Sequence, residues 1–76
     1  MKRADVIQRL VAGVIFEAQV ITNPANTREW ILLLSKEAGR SYFLVDDAEQ
    51  VESFASLDGL IAELRQLGIK RVELQL

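Results

Sequence analysis

Cysteine and histidine are both missing from this chain of 76 residues. Without cysteine there is no disulfide to staple a small core, and no thiolate to act as nucleophile or metal ligand. Without histidine the usual acid–base side chain is gone, and with it the Ser-His-Asp and Cys-His arrangements. Together the two absences make a zinc site an unattractive expectation. Proline occurs once, at Pro24, and glycine four times. The glycines stand alone at 13, 39, 59 and 68, in neither a Walker pattern nor GxGxxG. Neither sign of charge dominates, with nine basic and eleven acidic residues and a net charge of −2. Such a balance does not suggest a dedicated polyanion binder. Long apolar runs are lacking too, since no stretch approaches the ~20 residues of a membrane span. The N-terminal MKRADVIQRLVAGVIF begins basic, but Asp5, Gln8 and Arg9 interrupt the apolar run a signal peptide needs. A soluble cytoplasmic protein is the expectation.

What the chain does have is apolar side chains, half of all residues. Its length fits one domain, 1–76, near the size at which burial barely offsets the entropy of ordering the chain. Small domains relieve that balance with disulfides, metals or association. Here disulfides are excluded and a metal has little to hold it, so the composition points to oligomerisation.

ADVIQRLVAG (4–13) reads as a short amphipathic helix with Val6, Ile7, Leu10 and Val11 on one face and Gly13 ending it. VIFEAQVIT (14–22) is rich in β-branched residues and reads as a strand, with Val14, Phe16, Ala18 and Val20 on one side. TNPANT (22–27) is a loop, followed by a strand over Arg28 to Lys36, a turn at EAGR, and a strand in SYFLVDD (41–47). DAEQ (47–50) makes a second turn into VESF (51–54). SLDGLIAELRQLGI is the clearest helix. Ser56 suits its N-cap, Leu57, Leu60, Ile61, Leu64 and Leu67 its buried face, and Gly68 and Ile69 a Schellman ending. KRVELQL alternates strictly, with Val72, Leu74 and Leu76 on one side of a half-buried strand.

The order α-β-β-β-β-α-β predicts an α+β fold, a mainly antiparallel sheet of four to five strands with two helices on one face. Short turns make successive strands antiparallel neighbours. Placing the last strand beside the first gives the order 5-1-2-3-4, all antiparallel, and a parallel place beside the fourth is the alternative. If Glu37 pairs with Arg40, Lys36 opposes Ser41. Trp30, Leu32 and Leu34 then face the helices beside Phe43 and Val45, and Ile31 and Leu33 share the opposite face with Tyr42 and Leu44.

That opposite face carries the candidate site. Ile15, Ile31, Leu33, Tyr42 and Leu44 form an apolar patch rimmed by charge, on a side that no remaining element can cover. A small non-enzymatic interaction module that self-associates as a homodimer through this face is the functional expectation. Scattered apolar residues on a solvent face are also ordinary, but these are clustered and central. The competing reading is a small nucleic-acid-binding protein whose hairpin presents Arg28, Lys36 and Arg40. The acidic stretch VDDAEQVES lacks the spacing of a calcium loop and reads as a solvated turn. No catalytic residue, metal or cofactor is expected. A ligand pocket would have to form between subunits.

Overall fold

The computed structural model describes residues 1–36 and 39–75. Seven elements follow in the expected order: α1 (Arg3–Val11), β1 (Glu17–Asn23), β2 (Asn26–Ser35), β3 (Ser41–Phe43), β4 (Ser53–Phe54), α2 (Leu57–Leu67) and β5 (Glu73–Leu74). The fold is α+β, with a five-stranded, mostly antiparallel sheet and both helices on one face. Its frame is the antiparallel β1–β2 pair, in register from Glu17 opposite Ser35 to Thr22 opposite Trp30. The expected six-residue loop shrinks to a tight turn at Pro24 and Ala25, where the Asn23 side chain accepts a hydrogen bond from the Ala25 N–H.

Alternation along that pair sends Ala18, Val20, Leu32 and Leu34 to the helix side. They are buried there with Phe16, with Val6 of α1 and with Leu60, Leu64 and Leu67 of α2. The ends of α2 are as its sequence dictates. The Ser56 hydroxyl accepts from the Gly59 N–H at 3.0 Å, Gly68 takes a left-handed φ of 88°, and Ile69 N–H donates to the Leu64 carbonyl. α1 departs from expectation. Val6 and Leu10 turn to the core, whereas Ile7 and Val11 face outward, with Val11 84% exposed. Packed at the margin of a narrow sheet, this helix buries only half of its apolar stripe.

The β2–β3 turn differs by one residue from the expected register. Lys36 N–H donates to the Arg40 carbonyl at 2.9 Å, so the pair enclosing the turn is 36 with 40. Glu37, whose pairing was expected, lies outside the described residues, as does Leu76. The enclosed loop has three residues and ends on Gly39, at φ 79°. A two-residue loop would have put a positive φ on Ala38, which a side chain resists, while a three-residue loop gives that role to the final glycine. In consequence Ser35 opposes Ser41, Leu34 opposes Tyr42, and Leu33 opposes Phe43.

The second correction concerns β4. It pairs with β2, not β3, through Trp30–Phe54 and Ile31–Ser53. β3 and β4 are therefore two pieces of one edge strand, interrupted by an excursion over residues 44–52. Leu44 N–H still donates to the Leu32 carbonyl, and the chain then folds out and back through a Val45–Val51 bridge. Its tip is held by Asp46, whose carboxylate accepts from the Ala48 and Gln50 N–H groups. Because β4 continues the direction of β3, the crossover through α2 delivers β5 parallel to β1, with Gln19 opposite Glu73. The strand path is β3-β2-β1-β5, with β4 also on β2.

The register correction has a measurable consequence. Leu44→Ala empties a fully buried site and is expected to cost about 2–5 kcal/mol. Phe43→Ala, on the open face, should cost under about 1 kcal/mol. Urea unfolding of both variants checks the difference, and equal costs would contradict the pairing described.

Candidate interaction surface

With the register set, the face away from the helices can be read strand by strand. β1 contributes Glu17, Gln19, Ile21 and Asn23, and β2 contributes Glu29, Ile31, Leu33 and Ser35. The edge strand adds Ser41, Phe43 and Ser53, and β5 adds Glu73. At its centre Ile21, Ile31, Leu33 and Phe43 adjoin across three strands. Ile31 is only 3% exposed yet stands outside the helix-side core, whereas Phe43 is 39% exposed. Ile31 is thus screened by neighbours on its own face. The rim there is organised: Asn23 Nδ2 donates to the Ser53 hydroxyl, which donates to Glu29 Oε1, both at 2.9 Å.

The five residues expected to form this patch divide accordingly. Ile31 and Leu33 lie on it. Tyr42 and Leu44 do not, because the one-residue shift turns both to the helix side, where Leu44 is fully buried. Ile15 precedes the paired part of β1 and projects at the end of the sheet, 84% exposed. Phe43 replaces Tyr42 on the open face. The position of Gly39 carries that information in the sequence, since a hairpin glycine in third place, after Glu37 and Ala38, favours the three-residue loop.

The three basic residues of the competing reading are not brought together. Arg28 lies near the start of β2, while Lys36 and Arg40 flank the turn beyond its other end, about 25 Å away for eight extended residues. Lys36 Nζ sits 5.6 Å from the centre of the Tyr42 ring, a cation–π distance.

One charged cluster is buried enough to matter. The Arg3 guanidinium bonds Glu63 on α2 and Glu52 at the end of the excursion. The Glu63 hydrogen bond chiefly holds Arg3 above its usual range, opposed by burial and aided by Glu52. Glu52 Oε2 is buried without a hydrogen-bond partner, so this clamp is incompletely compensated. It ties three segments together but faces no cavity. Among the described residues, no three acidic side chains gather in a manner suited to a metal ion. Among the same residues no helix is long and apolar enough to cross a membrane. Among the described residues, one shallow, open groove lies between the start of β1 and residues 70–73. Comparison with protein-family models, curated proteins and solved structures found no significant match.

Removing the Arg3 side chain leaves two carboxylates facing each other without their cation. Arg3→Ala is expected to lower stability by about 1–2 kcal/mol, between the values of exposed and buried pairs. Thermal unfolding measures this. A change within a few tenths would show the clamp to be energetically idle.

Proposed function

We propose that the protein is a non-enzymatic interaction module that self-associates, two copies meeting through the sheet face opposite the helices. The observation that carries this reading is the contiguous patch of Ile21, Ile31, Leu33 and Phe43, beside which no helix lies among the described residues. A second copy suits the face because most side chains around its apolar centre are neutral. Gln19, Asn23, Ser35, Ser41 and Ser53 surround the patch and both donate and accept, while Glu29 at its border is held by the Ser53 hydroxyl. A two-fold axis lets one such surface meet itself without juxtaposing like charges at the centre.

Its dimensions set the strength. The strand residues, most of them in β1 and β2, each cover about 4.8 by 3.3 Å and together give a footprint of roughly 380 Å² per copy. That is well below the ~800 Å² per partner of a standard interface, in the range of weak, reversible complexes. Dissociation constants in the micromolar range follow. The nucleic-acid reading based on Arg28, Lys36 and Arg40 gains nothing from their separation.

Sedimentation over a concentration series is expected to show a dimer forming in the micromolar range. Leu33→Glu, at the centre of the patch, should raise the dissociation constant more than tenfold with unchanged circular dichroism. A monomer at several hundred micromolar removes the proposal. A dimer indifferent to Leu33→Glu and Phe43→Glu moves the interface to another surface.

A further inference from the structure

The fold sorts charge in a way the linear sequence conceals. Both helices run towards the end of the sheet where β1 begins. There α1 and α2 finish, and residues 68–72 lead into β5. Leu10, Gly13, Phe16, Gly68, Lys70 and Arg71 line one shallow groove at that end, which fixes their proximity. Along the same end, Glu17 opposes Ser35, so Lys36 and Arg40 follow one and two strands across. Six of the nine basic residues collect here: Arg9, Lys36, Arg40, Arg65, Lys70 and Arg71. Glu17 lies among them, Glu73 follows Arg71 by two residues at the start of β5, and Glu37 belongs by sequence to the same turn. The remainder of the molecule holds Lys2, Arg3 and Arg28 against eight further acidic residues. A chain of net charge −2 thus presents one positive end.

Helix stability explains part of this. Arg9 and Arg65 occupy the last turns of their helices, where a cation complements the backbone dipole. Lys36 rests over Tyr42. Neither reason extends to Arg40, Lys70 or Arg71. All three are exposed, and no ion pair engages them among the described residues. Lys70 and Arg71 are consecutive, lie outside any strand and stand at the groove, with Arg40 about three strand spacings away, roughly 14 Å.

We propose that this end binds the phosphate backbone of nucleic acid, with Lys70 and Arg71 as the principal contacts and Arg40 extending the track. The shape suits a chain better than a compact ligand. The groove is shallow and open, and Gly13 and Gly68 have no side chain to keep an approaching backbone away. A span of ~14 Å accommodates a few consecutive phosphates of one strand. Phe16, the aromatic residue of the groove, is buried, so it offers no face for base stacking. Contact with phosphates alone makes binding independent of base sequence and sensitive to salt. This assignment does not rest on the dimer.

Fluorescence anisotropy with labelled single strands of about 20 nucleotides, one oligothymidylate and one of mixed sequence, tests it at ~20 and ~200 mM salt. Similar affinities for both strands are expected, with a log–log salt slope near −2 to −3 for three or four phosphate contacts. Lys70→Glu with Arg71→Glu should weaken binding at least tenfold at low salt, Arg40→Glu severalfold, and Arg28→Glu, at the far end, less than twofold. Thermal unfolding verifies that each variant is folded. Should the double variant not fold, Lys70→Gln and Arg40→Glu supply the same comparison. The proposal is overturned by an absence of binding at low salt, by an equal effect of Arg28→Glu, or by polyglutamate binding at this end where DNA does not. The last result would assign the surface to an acidic protein.

Discussion

The pairing of β1 with β2 is the constraint on which the rest of this molecule depends. These two long strands carry most of the sheet's ladder, and their alternation decides which side chains go to the helices and which do not. Every other element attaches to that ribbon. The interrupted edge strand lies along β2, β5 along β1, and the helices on the single face where Ala18, Val20, Leu32 and Leu34 need cover. The described residues hold two helices, each of about three turns or fewer. One face is consequently sealed and the other is not.

A second feature, the excursion at residues 44–52, sets the sense of the sheet. By folding out and returning to the same edge, it lets β4 resume the course of β3. The following crossover must then end parallel to β1. The excursion also gives the N-terminal residues a place to dock: the Met1 ammonium donates to the Phe43 carbonyl, and Val45 N–H donates to the Met1 carbonyl. α1 therefore starts against this edge, and Arg3 fastens it to α2 and to Glu52. Chain direction, helix placement and the internal clamp all follow from one detour in an edge strand.

The two surfaces proposed for partners differ in physical kind. The open sheet face is apolar at its centre and mostly neutral around it, a combination that favours contact by exclusion of water. The end formed by the helix C-termini and residues 68–72 is cationic and shallow, a combination whose effect extends over a Debye length of ~10 Å and fades with salt. They adjoin at the start of β1, where Gln19 of the sheet face lines a groove together with Lys70 and Arg71.

Local pattern was enough to define the order of elements, the caps of α2 and the inward-facing set of β1 and β2. Each follows from side-chain periodicity or from a residue such as Ser56 or Gly68 whose chemistry suits one backbone conformation. Ile31 and Leu33 were legible as residues of the second face for the same reason. The positions of Tyr42, Phe43 and Leu44 were not, because one residue in a turn inverts the faces of the strand beyond it. Nor could sequence show that β4 returns to β2, which depends on long-range hydrogen bonds. The gathering of Arg9, Arg40, Arg65, Lys70 and Arg71 at one end belongs to the same class. Periodicity acts between neighbours in the chain, whereas strand direction and the meeting of distant charges are fixed only when separate segments compete for the same edge and the same face.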